Sequence, residues 1–317
     1  MMKDKPGGRE EKKSSSRRRS VPTRSAHSSD MPRFAVIGGS QAFRFLDQKS
    51  GRKTIGPLQT PFGKSQPVHL IRSNDSDYLF LSRHGETGYS VAASFVNYRA
   101  NIYALKDLGV RQIIAWSGPG AITVEFAIGQ FIVIDDIIDE TRRRPATFYE
   151  HGGLGFIRQN PVFCPHLRGL LEQILADLGL KYDAGGTYVC TEGPRLETPA
   201  EIRKFAAYGA HLVGMTLAPE VFLARELEIC YAALCYVTNY AEGIRKKPFR
   251  PGILFEGLTS EAEFEAIEAS VKAFPAIAGM MAKATRNSEP TCSCASLMQR
   301  YRDRGVIGEN WREWIRT

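Results

Sequence analysis

The chain contains six cysteines (Cys164, Cys190, Cys230, Cys235, Cys292 and Cys294) but no C-x-x-C pair, and none of the cysteine–histidine spacings of a zinc site. Reduced thiols in an intracellular, cytoplasmic protein follow, with no metal expected and the Cys292-x-Cys294 pair read as an incidental, exposed feature. Long hydrophobic runs are missing as well. No apolar stretch reaches about 18 residues, which excludes a transmembrane helix, and no membrane contact is expected. The first 30 residues lack the apolar core of a secretory signal, and Asp4, Glu10 and Glu11 argue against an organellar transit peptide. Nor does the body carry a strong charge of one sign. Of the formal net charge of +8, residues 1–30 supply +5, from nine Lys or Arg against four Asp or Glu. The remaining +3 is that of an ordinary globule, so nucleic acid is not an expected partner and a small anion is.

A chain of 317 residues with 43% hydrophobic content can bury one substantial core. Residues 1–30 read as a disordered basic tail. From Met31 to about Lys283 strands alternate with helices without a linker, so residues 31–285 form one α/β domain, a central mixed sheet flanked by helices. Residues 286–317, with two tryptophans, read as a C-terminal extension that docks on the body or on a partner. Strands are expected at 34–37, 78–81, 112–116, 131–134, 187–190, 212–215 and 231–237; several are apolar at consecutive positions, as in a sheet covered on both faces. Helices are expected at 95–108 and 164–178, each closed by a glycine (Gly109, Gly179), and at 199–208, 219–227 and 260–283. The third opens with Thr198, Pro199 and Glu201, the makings of an N-cap, a first-turn proline and a capping box. That places Glu197 at the mouth of a helix.

Three strand ends carry the chemistry. AWSGPGAI (115–122) closes an apolar run with Ser117, Gly118, Pro119 and Gly120, a loop poor in side chains whose backbone N–H groups can wrap an anion. FAVIGGS (34–40) ends in Ser40, and YLFLSRHG (78–85) delivers Arg83 and His84, a planar fork of donors beside an imidazole. Convergence of the three ends would make a phosphate grip. Taken singly, each has a plainer reading: a surface arginine, a half-buried histidine, a hydroxyl capping backbone groups.

GGS (38–40), TPFG (60–63), RHG (83–85), NYRANIYALKDLG (97–109), TEGPRLET (191–198) and GMTLAPE (214–220), in that order, resemble the trimeric purine nucleoside phosphorylase and methylthioadenosine phosphorylase family over about residues 31–285. The resemblance implies a homotrimer that cleaves purine nucleosides with inorganic phosphate as co-substrate and no other cofactor. It further implies phosphate contacts from Ser40, Arg83, His84, Ser117 and Thr216, with Met215 against the nucleoside, Gly118 bordering the ribose, and Glu197 and Asn239 facing the purine. Asn239 and His84 are the residues it would make catalytic.

Base preference is legible in one segment. Where family members acting on 6-aminopurines carry an aspartate in a TDY segment, this chain reads VTNYAEG, with Asn239, and Ala241 replaces a second aspartate. An amide donates to O6 or N7 and does not titrate, and a Glu197 carboxylate accepts from the N1–H that only a 6-oxopurine possesses. The expected activity is therefore phosphorolysis of inosine, guanosine or 5'-methylthioinosine. Methylthioadenosine phosphorolysis and an inactive purine-binding scaffold are the alternatives. Three departures from the family pattern stand out: RHGETGYS has Gly88 and Tyr89 where another histidine is usual, Gly118–Gly120 replaces Ala-x-Gly, and Ala121 replaces a serine.

Overall fold

A computed structural model describes residues 31–39, 42, 51–86, 89–245 and 260–315. The basic tail, Ser40, Gly88 and the segment 246–259 lie outside the described residues. In chain order the strands are β1 (Phe34–Gly38), β2 (Arg52–Gly56), β3 (Gln59–Thr60), β4 (Gly63–Lys64), β5 (Val68–Ile71), β6 (Tyr78–Ser82), β7 (Gln112–Ser117), β8 (Gly120–Ala121), β9 (Phe131–Val133), β10 (Asp136–Glu140), β11 (Tyr182–Ala184), β12 (Thr187–Thr191), β13 (Leu212–Gly214), β14 (Cys230–Tyr236) and β15 (Asn239–Tyr240). The helices are α1 (Tyr98–Asp107), α2 (Pro165–Asp177), α3 (Pro199–Ala207), α4 (Glu220–Glu226), α5 (Glu261–Asn287) and α6 (Gln299–Asp303).

All seven expected strands and all five expected helices form. The expected single mixed sheet is two: an eight-stranded one in the order β11-β9-β14-β7-β1-β6-β5-β2, and a five-stranded one in the order β10-β12-β13-β8-β15. At its centre β14, β7, β1 and β6 run parallel, and β1, β6, β7 and β14 are buried at every position. Burial on both faces explains their unbroken apolar sequences. Four chain passages cross from the large sheet to the small one: β7 to β8 through Gly118–Pro119, β9 to β10 through 134–135, β11 to β12 through Gly185–Gly186, and β14 to β15 through 237–238.

Helix ends follow the local chemistry. Gly109 (φ 93°) and Gly179 (φ 65°) take the left-handed conformation that closes α1 and α2. Thr198 and Glu201 form the reciprocal capping box of α3. The first helix is shorter than its apolar pattern because the Asn97 side chain accepts from Ala100 N–H and starts α1 there.

The C-terminal extension packs on the body. Trp314 is buried, and Arg302 forms a two-pronged ion pair with Glu228 at 2.8 and 2.9 Å. Cys294 is buried and Cys292 half-buried, which corrects the reading of this pair as exposed and incidental.

Candidate active site

Just beyond the carboxyl ends of the neighbouring parallel strands β6, β1 and β7 lie His84, Gly39 and Gly118, and Ser117 is the last residue of β7. Ligands of open α/β sheets bind at such an edge. A Cβ added at Gly39 would stand 3.9 Å from His84 Cδ2, so the ends of β1 and β6 adjoin. Ser40 itself is outside the described residues.

Ser117 and Thr216, 99 residues apart, bring their hydroxyls to 3.4 Å from each other. Their meeting depends on Gly214: a Cβ there would sit 2.0 Å from the Tyr188 hydroxyl, and glycine alone lets β13 cross so closely over that buried ring. Tyr188 is fully buried and its hydroxyl faces the Ser117–Thr216 pair. Met215 is half-buried beside Thr216, against Gly193.

Asn239 opens β15 directly opposite Gly120 of β8, and a Cβ at Gly120 would approach the amide nitrogen to 3.1 Å. Its orientation is set from both sides. Thr238 Oγ1 donates to Asn239 Oδ1 at 2.8 Å, and Asn239 Nδ2 donates to Tyr240 O at 3.0 Å, which leaves one N–H of the amide for another acceptor. Glu197, half-buried before α3, accepts a hydrogen bond on Oε1 from Thr191 Oγ1, while its Oε2 has no hydrogen bond among the described residues.

Arg83, expected as a planar fork of donors for an anion, is fully buried, with Nε and Nη2 donating to Glu220 at 2.8 and 2.7 Å, and Glu220 also accepts from Tyr231 Oη at 2.7 Å. Burial opposes the guanidinium charge, but the Glu220 carboxylate outweighs it and holds the group above the ordinary arginine range. Two of its five N–H donors are thus taken up by Glu220. Ala241 was placed beside the base; it is packed with Ile122, Val189, Ile202, Phe205 and Val213 beneath α3. Its backbone N–H donates to Ala121 O, so it belongs to the small sheet's core.

His84 is almost fully buried, and burial followed by the nearby Arg83 charge pushes its pKa down to about 4. Nδ1 lies 2.9 Å from Val91 O, a carbonyl that can only accept, so the proton is on Nδ1 and Nε2 offers a lone pair. The Tyr89 ring, 71% exposed, covers it at 4.9 Å.

One buried side chain that braces these elements has no signal in the sequence. Arg144 stands in a run of three arginines that reads as a solvated patch, and Arg142 and Arg143 are exposed, yet Arg144 is buried. Its Nη1 donates to Met215 O and Ala218 O at 2.7 and 2.6 Å, and Nη2 to Thr191 O and Glu192 O at 3.0 and 2.8 Å. One guanidinium thereby ties the end of β12 to the loop that carries Met215 and Thr216. Glu220, at the end of GMTLAPE, is the other residue whose contacts emerge only in three dimensions.

Residues 33–274 match the family model described as the phosphorylase superfamily. A 6-oxopurine nucleoside phosphorylase of Pyrococcus furiosus is 41% identical over 240 residues, covering 74% of this chain and 89% of the relative. A probable S-methyl-5'-thioinosine phosphorylase of Methanothermobacter thermautotrophicus is also 41% identical, over 70% of this chain and 76% of its own. Among solved structures, a methylthioadenosine phosphorylase from an antarctic soil metagenomic library superposes with a TM-score of 0.76 at 27% identity, over 86% of this chain and 92% of that one. The Schistosoma mansoni methylthioadenosine phosphorylase in complex with adenine gives 0.72 at 27% identity, over 81% and 93%.

Proposed function

The chain belongs to the phosphorylase superfamily, and on that premise we propose that it is a pentosyltransferase that cleaves 6-oxopurine nucleosides with inorganic phosphate, yielding the free purine and ribose 1-phosphate or its 5-methylthio analogue. The observation that carries the base preference is two unspent hydrogen-bonding groups: one N–H of Asn239, where the chain passes between the sheets, and Oε2 of Glu197, just before α3. A lactam edge needs a donor toward O6 or N7 and an acceptor for N1–H, and an adenine offers no hydrogen at N1. The more similar relatives are named for 6-oxopurine and methylthioinosine substrates, in agreement with this reading.

In the proposed reaction the C1'–N9 bond breaks with its electron pair moving onto the base, and a phosphate oxygen bonds C1' from the opposite face. Charge grows on the departing purine, so a fixed N–H from Asn239 stabilises the transition state more than the bound substrate. The Ser117 and Thr216 hydroxyls and His84 are the groups proposed for phosphate. A neutral His84 accepts a hydrogen bond at Nε2 from a protonated phosphate oxygen, and a dianion beside it would raise its pKa. Arg83 contributes through its buried pair with Glu220, which keeps the β6 end rigid. No protein nucleophile, metal or redox cofactor enters these steps.

We assign the protein to the cytoplasm and to a homotrimer, with Tyr89 and Phe95, 71% and 77% exposed, as apolar surface for a neighbouring subunit. Light scattering should return three times 35.3 kDa. Activity is tested by incubating the protein with inosine, guanosine, 5'-methylthioinosine and methylthioadenosine with and without phosphate. Phosphate-dependent release of hypoxanthine or guanine is expected, and absence of turnover on all four would leave only a purine-binding scaffold.

A further inference from the structure

At the opposite end of β14 from Asn239, about 20 Å away along the strand, four cysteines distant in sequence come together. Cys164 is the N-cap residue of α2, Cys230 opens β14, and Cys292 and Cys294 follow α5 in the C-terminal extension. All four Sγ atoms lie within 4.8 Å of one another, with Cys230 and Cys292 at 3.4 Å. Four sulfurs held at about 2.3 Å around a tetrahedral zinc stand about 3.8 Å apart, whereas a disulfide joins only two, at about 2.05 Å. The spacing is that of a ligand shell.

A second observation supplies the charge. Arg225 is 3% exposed, and its hydrogen bonds go to Gln159 Oε1, Val162 O and Arg158 O, all neutral. A buried guanidinium without an anion is costly. The ionisable groups that act on it electrostatically are these four cysteines, which as metal-bound thiolates would supply the missing negative charge. Cys164, at the N-terminus of a 13-residue helix, is also where a thiolate is favoured.

We infer that Cys164, Cys230, Cys292 and Cys294 bind one zinc ion per chain as a closed tetrathiolate. Binding releases the four thiol protons to solvent and changes no oxidation state. The resulting site carries a net charge of −2, which Arg225 partly compensates. All four positions are filled by protein ligands, so the ion is structural: it staples the extension to the starts of α2 and β14. A sulfur-only set selects zinc over magnesium or calcium.

Metal analysis of the full-length protein, purified under reducing conditions without chelator, should find about one zinc per chain, and the Cys292→Ser/Cys294→Ser variant should lose it. Cobalt exchanged into the wild type should show the intense visible bands of tetrahedral thiolate coordination, a readout that stands even if the variant fails to fold. Fewer than about 0.2 metal ions per chain after incubation with zinc would overturn the inference, as would mass spectrometry finding these cysteines joined in disulfides in the reduced preparation. Neither result depends on nucleoside turnover.

Discussion

At the residue scale the proposed basis of base preference is two side chains with opposite hydrogen-bonding character, Asn239 and Glu197. Replacing Glu197 by Gln puts a weaker, neutral acceptor opposite N1–H. A hydrogen bond to a charged group contributes about 1.5–3 kcal/mol, so kcat/KM for inosine should fall roughly 10- to 100-fold, with adenosine unaffected; steady-state assays on both nucleosides check this. Asn239 and Glu197 stand out in the sequence as candidates because a single residue type, amide or carboxylate, would determine which hydrogens the base must offer. Arg83 was legible as important but not in its role, since nothing local announces that Glu220, 137 positions away, takes up its guanidinium. Arg144 was invisible for a similar reason: in TRRRP the three arginines are chemically equal, and only the tertiary fold buries one of them.

At the scale of elements the site depends on close crossings and on buried titrating groups. Gly214→Ala would drive a methyl into the Tyr188 hydroxyl, displacing β13 and with it Thr216. The expected result is a phosphate KM raised by about tenfold or more, partly restored when Tyr188→Phe removes the obstructing oxygen. A second element, α4, ends in Glu226, which accepts from Thr147 Oγ1 at 2.6 Å and from Phe148 N–H at 2.7 Å. Burial raises its pKa from 4.5 to about 7, so its contribution to stability is fully present below pH 4.5 and is lost as pH rises through 7. Gln at this position does not titrate. Relative to wild type, Glu226→Gln should therefore gain roughly 3 kcal/mol in unfolding free energy between pH 4.5 and 7, measured by urea denaturation. The elements themselves were readable wherever burial is two-sided or a cap is explicit. Short strands such as β8 and β15 were not, because two residues carry no periodicity, and they are the pieces that form the sheet junction.

At the scale of the whole molecule, the path from sequence to site runs through two sheets that exchange strands. The alternation of apolar strands and helices discloses an α/β domain, but the division into an eight-stranded and a five-stranded sheet arises from turns at Gly118–Pro119 and 237–238 that local patterning does not reveal. The extension shows the same limit: its tryptophans signalled docking, and only the fold shows Trp314 buried against the body. Trp314→Ala should cost about 3 kcal/mol of unfolding free energy, read from denaturant titration. The account stands or falls on the ratio of kcat/KM for 5'-methylthioinosine to that for methylthioadenosine, measured at saturating phosphate in the wild type and in Asn239→Asp. A ratio well above ten in the wild type, falling by about tenfold or more in the variant, is predicted. A wild-type preference for methylthioadenosine, or a ratio that Asn239→Asp leaves unchanged, would contradict it.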